Sequence, residues 1–211
     1  MLHEARGHVR LASSAGPATR TPVVPVPPQT RTFDLVVVGG VPGAGKSTAI
    51  VRATAGLDDV STIDPEQVSA WLRQRLPSGI PYRGYRWLVH ATHTIRVVAE
   101  LVTGPVSGRR LVIHDPGTRI RRRNLLLALA RAAGWRTALL YIDADRAAAI
   151  EGQRRRGRVV RSFDEHWANW ERLRPELTAQ ARRRQTLTED EPVLLVDRAD
   201  AVDALRRLCA H

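Results

Sequence analysis

Apolar residues in this chain fall into short, β-branched runs separated by longer stretches in which they recur every three or four positions. Phe33-Asp34-Leu35-Val36-Val37-Val38 is the first run, and it ends in glycines, as a parallel strand buried on both faces does. Further runs at 60–63, 110–114, 135–142 and 192–196 predict four more strands. Between them the spacing predicts helices over 46–55, 65–76, 85–102, 119–133, 145–155 and 199–208, and a longer one over 162–184 with a break near Pro175. The second helix has the clearest start: Asp64 as N-cap, Pro65 at its first position and Gln67 to complete a capping box. Its apolar side would carry Val68, Trp71, Leu72 and Leu76, and the helix at 85–102 would face inward with Leu88, Ala91, Ile95, Val98 and Val102. Ser162-x-x-Glu165 caps a later helix, while Gly56 and Gly134 stop two others. Strands alternating with helices in this way predict an α/β fold, with a parallel sheet covered on both faces as three αβα layers.

Residues 1–31 break this rhythm, with Pro22, Pro25, Pro27 and Pro28 among scattered Ser, Thr, Gly and Arg, and they read as a flexible tail. Residues 32–211 then form one domain, the size that a single core supports. Charge narrows the partners: 33 Lys and Arg against 21 Asp and Glu give a formal +12, so nucleotides, phosphorylated molecules and nucleic acid are all attracted. Cys209 is the sole cysteine, which excludes an internal disulfide and a cysteine-based zinc site and fits a reducing, cytoplasmic setting. No stretch approaches the roughly 20 apolar residues of a membrane span, and no secretory leader is evident.

One position stands apart from the arginine-rich background. Lys46 is the only lysine in the chain, and it lies within Gly40-Val41-Pro42-Gly43-Ala44-Gly45-Lys46-Ser47-Thr48, a complete G-x-x-x-x-G-K-[ST] pattern between a predicted strand and a predicted helix. Glycines at this spacing let backbone N–H groups turn inward as an anion-holding nest, and the following helix directs its positive end at the same point. A compact ammonium on a flexible stem can follow a polyphosphate where a rigid guanidinium would crowd the loop. Ser47 would offer its hydroxyl to Mg²⁺.

Other candidates follow from position. Asp115 ends an apolar strand, where a carboxylate can hold Mg²⁺ through water, although Asp115-Pro116-Gly117 also reads as a turn. Asp64 likewise follows a strand and could steer an attacking hydroxyl, yet N-capping alone would account for it. Arg154, Arg155, Arg156, Arg158 and Arg161 surround Gly157 between two helices, the makeup of a mobile lid at about 150–165, with Arg154 and Arg158 as candidates to stabilise transferring phosphate. Arg119, Arg121, Arg122 and Arg123 crowd a helix start, which opposes the helix dipole and suggests that Arg119 and Arg122 meet an anionic substrate. Aromatic rings interleave with arginines in Pro81-Tyr82-Arg83-Gly84-Tyr85-Arg86-Trp87, either a stacking platform or loop packing. His90 and His93 lack a third ligand and read as ordinary helix residues, and Trp167 and Trp170 as packing.

On these residues the chain resembles P-loop NTPases of the nucleoside-monophosphate-kinase type, especially the polynucleotide-kinase and zeta-toxin-like ATP-binding families. The likeness spans about residues 33–208: the phosphate loop, Asp64 where those families keep an acidic base, and Arg154 to Arg158 in their lid. It implies strand order 2-3-1-4-5, ATP and Mg²⁺ as cofactors, and transfer of the γ-phosphate to a hydroxyl of a small molecule or polynucleotide. Thr62-Ile63-Asp64-Pro65-Glu66-Gln67 departs from the Ser-x-Asp-x-x-Arg form of some polynucleotide kinases, so the acceptor does not carry over. Two rivals weaken on sequence: no second lysine exists for a guanine-reading N-K-x-D motif, and Asp115 is followed by Pro116 rather than the Glu of ring-forming ATPases. An ATPase, or a nucleotide-gated nucleic-acid binder without a phosphate acceptor, remains the alternative.

Overall fold

The computed structural model of the protein describes residues 33–157, 162–184 and 192–210. Five strands, β1 (Leu35–Gly39), β2 (Val60–Ile63), β3 (Arg110–His114), β4 (Thr137–Asp143) and β5 (Val193–Asp197), form one parallel sheet in the order β2-β3-β1-β4-β5. That is the order implied at the outset. Among the described residues seven helices accompany them: α1 (Lys46–Thr54), α2 (Pro65–Arg75), α3 (Tyr82–Thr103), α4 (Ile120–Ala132), α5 (Arg146–Arg154), α6 (Phe163–Arg184) and α7 (Ala201–Cys209). Against β1, β3, β4 and β5, α1 and α7 pack side by side, while α3 and α4 pack together over β2 and β4. Strands β1, β3 and β4 are buried at every position, so the sheet centre is dry, as uninterrupted apolar runs require.

Register matters more than the order. Ile63 pairs with Ile113 and Val38 with His114, so β1, β2 and β3 finish level and their carboxyl ends deliver Gly40, Asp64 and Asp115 to one crevice. Across it, Gly152 of α5 packs on the phosphate loop so closely that an added Cβ would stand 2.3 Å from the Gly43 carbonyl oxygen. Gln153 donates to the Pro42 carbonyl at 3.4 Å beside it. The loop is thus held from two sides, by its own strand and by α5.

Four details depart from the sequence reading. Helix α3 begins at Tyr82 rather than Tyr85, because the Tyr82 and Tyr85 rings pack edge to face at 5.4 Å in a small core with Val68, Leu72 and Val89. Its buried stripe is Tyr85, Val89, His93, Val97 and Leu101, while Ile95 and Val102 are exposed. Apolar residues lie all round this helix, and the true face includes His93, whose ring is tied to the sheet. Trp71 is half exposed, covered in part by the Arg75 guanidinium 4.3 Å above its ring. Pro175 lies inside one continuous α6 without ending it. The tail at 1–31 and Arg158 and Arg161 of the proposed lid lie outside the described residues. No helix among the described residues is long and apolar enough to cross a membrane.

Gly152→Ala should therefore force α5 and the phosphate loop apart, costing about 1–3 kcal/mol of stability by urea unfolding. Unchanged stability would mean that the two elements separate freely.

Candidate active site

The phosphate loop follows β1 with Gly40, Gly43 and Gly45 at φ of 134°, 90° and 101°, a backbone that side chains rarely adopt. Gly45 is the N-cap of α1. Lys46 is buried and curls back over its own loop, donating to the carbonyl oxygens of Gly40 at 2.8 Å and Val41 at 2.9 Å. Burial, with help from the nearby Arg156 charge, pushes its ammonium down to about 7, against the upward pull of Asp64 and Asp115. Ser47, Thr48, Val51 and Arg52 of α1 line an open cleft of about 370 Å³ that Glu66 and Arg156 complete.

Asp64 is buried, and both its oxygens are engaged. Oδ1 accepts the Glu66 N–H at 2.7 Å, with Gln67 Oε1 accepting the Asp64 N–H at 3.4 Å, so the predicted cap is present. Oδ2 lies 2.9 Å from Nδ1 of His114, which sequence reasoning missed. Burial acts to raise the Asp64 carboxyl, but the His114 hydrogen bond, with the Glu66 N–H and Ser47 hydroxyl, holds it well below the usual carboxylate range. Burial and the Lys46 charge hold the His114 ring below its ordinary value, against the pull of Asp64. A neutral ring facing a carboxylate carries its proton on Nδ1 and donates it to Asp64. Ser47 Oγ stands 3.3 Å from the same nitrogen. The signal was present in the sequence: if β2 and β3 are neighbours, residues closing the two strands must meet.

Behind His114, His93 of α3 donates through Nε2 to the His114 carbonyl oxygen at 3.0 Å, and burial pushes its ring down to about 4. Asp115 is also buried. Oδ1 accepts the Gly117 N–H at 2.8 Å, which is the predicted turn, and Oδ2 lies 3.0 Å from Arg122 Nε in a charge contact without hydrogen-bond alignment. Arg119, exposed at the N-cap of α4, approaches Glu165 at 4.0 Å. Between these arginines and α6, Thr118 Oγ1 and His166 Nδ1 meet at 2.8 Å.

The lid arginines divide. Arg154 ends α5 on the surface, Arg155 pairs with Glu151 at 3.1 Å, and Arg156, also exposed, lines the cleft with Ser47 close enough for its charge to act on Lys46. Of the aromatic stretch, Tyr85 is core and Trp87 remains exposed. Among the described residues no group of three or more His, Cys, Asp or Glu could hold a metal by itself. Asp115 and Ser47 nevertheless suit a cation bound mainly by phosphate and water, since Asp115 Oδ2 is buried without a hydrogen bond beside the loop.

The family described as the AAA domain matches residues 35–193, which contain the phosphate loop, Asp64, Asp115 and the arginine-bearing helices. This chain is a P-loop NTPase of that AAA-domain family. No curated protein matches its sequence. The fold recurs in a Chloroflexus aurantiacus protein described as a candidate kinase, at 19% identity and TM-score 0.53 over 84% of this chain and 98% of that one. It recurs also in the Deinococcus radiodurans tunicamycin resistance protein, at 17% identity and TM-score 0.50 over 85% of this chain and 94% of that one. At such identities the likeness is one of fold alone.

Because Lys46 sits near 7 in the empty protein, a bound polyphosphate should draw a proton onto it. Nucleotide affinity should then fall by up to about tenfold per pH unit above pH 7 until the bound-state value is passed. Calorimetry at pH 8 in buffers of different ionisation enthalpy would read the proton uptake; none taken up would mean that Lys46 is already charged before binding.

Proposed function

We propose that this protein transfers the γ-phosphate of ATP to a hydroxyl group of an acceptor. The observation that carries the reading is Asp64: a buried carboxylate, held ionised by His114, within electrostatic reach of Lys46. Capping of α2 accounts for Oδ1, and it is the second tie, Oδ2 to His114 beside Lys46, that favours a working carboxylate at that place.

Roles follow from position. The loop from Gly40 to Thr48 would cradle the β- and γ-phosphates with the backbone N–H groups that its own turns leave over, Gly40 and Ala44 already donating to the Pro116 and Val41 carbonyls, and Lys46 would leave the Gly40 and Val41 carbonyls to meet the same phosphates. Ser47, and Asp115 through water, would hold Mg²⁺, which when bound neutralises phosphate charge. Asp64 would accept a hydrogen bond from the acceptor hydroxyl and aim its oxygen at the γ-phosphorus. A carboxyl so acidic is a weak base, so Asp64 orients the hydroxyl first and takes its proton late, as the oxygen–phosphorus bond forms and ADP departs. His114 then fixes the Asp64 rotamer. Arg156, together with Arg154 or Arg158 from the proposed lid, would meet the charge that spreads over the transferring phosphoryl group. ATP as the nucleotide and a cytoplasmic location complete the reading, and the buried Cys209, its thiol pushed up to about 11 by burial, agrees with a reducing setting.

Labelled γ-phosphate offered with nucleosides, 5′-hydroxyl oligonucleotides, sugars and amino sugars should appear on one acceptor class. Asp64→Asn should lower that transfer by about 100-fold or more while ATP affinity changes little. If no acceptor is labelled and slow ATP hydrolysis survives Asp64→Asn, the protein is an ATPase or a nucleotide-gated nucleic-acid binder instead. Arg156→Ala should reduce turnover by about tenfold to 1,000-fold with a smaller effect on ATP affinity; equal loss in both would return it to the solvated surface.

A further inference from the structure

The Pro116 carbonyl oxygen accepts the Gly40 N–H at 3.0 Å, so the loop between β3 and α4 grips one end of the phosphate loop. That connecting loop has no slack. Asp115 Oδ1 ties down the Gly117 N–H at 2.8 Å, and Gly117, at φ of 66°, passes so near Tyr141 that an added Cβ would stand 2.7 Å from its ring. Thr118, the next residue, is buried, and its Oγ1 lies 2.8 Å from Nδ1 of the buried His166 on α6. A hydroxyl can donate to that nitrogen or accept from it, so the bond holds in either tautomer. The first turn of α6 also reaches the other end of the phosphate loop. The Arg146 guanidinium of α5 lies 5.7 Å over the ring of the buried Phe163 and pairs with Asp164 at 2.6 Å. Later in the same α5, Gly152 presses on Gly43. A closed belt of contacts therefore starts at Gly40, passes through Thr118, His166, Arg146 and Gly152, and returns at Gly43.

The links are unequal. Arg146 and Asp164 pair in the open, as do Arg119 and Glu165 at 4.0 Å, and water-facing pairs of this kind contribute little. The Thr118–His166 bond is out of water, and breaking it would leave a buried ring nitrogen without a partner, so it is the link that closes the belt. We propose that Thr118 and His166 are positioning residues for the phosphates of the nucleotide: their bond holds Gly40 and Gly43 in the binding geometry before any phosphate arrives. They act through the backbone of the phosphate loop rather than by contact. A loop already in that geometry loses less conformational freedom when the ligand enters, and the freedom it does not lose appears as affinity. Lys46 donates to the Gly40 carbonyl at 2.8 Å, so the same bond also fixes where the ammonium waits.

Only nucleotide binding is invoked, so the outcome does not depend on whether phosphate is transferred. Titration of a fluorescent ADP with magnesium into the full chain reads the effect. Thr118→Val keeps the shape and removes the hydroxyl; it should weaken ADP about tenfold, with the loss appearing as entropy in calorimetry. Magnesium tripolyphosphate, which the phosphate loop alone would hold, should weaken by the same factor when it competes. Thr118→Ser should restore most of the affinity, and His166→Phe should match Thr118→Val. A lower melting temperature with unmoved ADP affinity is what a purely structural bond gives, and it would overturn the assignment, as would a loss that Thr118→Ser fails to restore. Should Thr118→Val and His166→Phe not fold, the unaltered protein decides by hydrogen exchange, because coupling between two places is reciprocal. Saturating ADP should then slow exchange of the His166 N–H, which is bonded to the Ser162 carbonyl at 3.0 Å, and exchange there unmoved by ADP would overturn the assignment.

Discussion

Everything in this crevice depends on holding an ammonium inside the protein with no carboxylate in direct contact. Lys46 is buried, its nearest partners are two carbonyl oxygens of its own loop, and its charge is opposed by desolvation and by Arg156. Such a group is stable only if the backbone around it is fixed, because a loop that relaxed would let water in or remove the carbonyls. The fixing is steric: β1 brings Gly40 in under the sheet, and α5 presses Gly152 against Gly43. Packing thus fixes the loop whose carbonyls the buried Lys46 depends on.

The two aspartates are held by a second set of ties that runs through the sheet. Neither stands beside Lys46 by side-chain reach alone. The pairing of Ile63 with Ile113 sets Asp64 next to His114, and His93 donates to the carbonyl of that histidine from the helix above. Each histidine is kept neutral by burial, so each can donate one proton and accept at the other nitrogen, which a protonated ring could not do. This gives Asp64 a donor without adding a positive charge that would compete with Lys46.

What could be read from the sequence follows the range of the interactions. The phosphate loop was legible because its function is carried by consecutive backbone groups, and the alternating runs gave the layers and, with the family resemblance, the strand order. Asp64 as a cap was legible for the same reason: Pro65 and Gln67 lie within one turn of it. The His114 contact spans 50 positions in the chain and depends on register between neighbouring strands, which no local pattern encodes. The buried face of α3 was misjudged because a histidine, not a leucine, occupies its centre, and only its bond to the sheet makes that position interior. Arg156 was named in the lid cluster but not singled out, since composition cannot say which arginine of a run lines the cleft.

The solitary lysine acquires a physical reason from its surroundings. A chain that uses arginine for every other strong base would be expected to use it here unless the site forbade it. A guanidinium keeps its proton under all ordinary conditions, so placed at position 46 it would remain a buried, uncompensated cation whenever the loop was empty. Lysine can give up its proton near neutral pH in exactly that state, which burial and Arg156 already encourage, and regain it when phosphate arrives. The empty protein then avoids the cost of a trapped charge, and the loaded one recovers it where the proposed reaction needs it. On this argument the lysine is set by the requirement that the fold survive without its ligand as much as by the ligand itself.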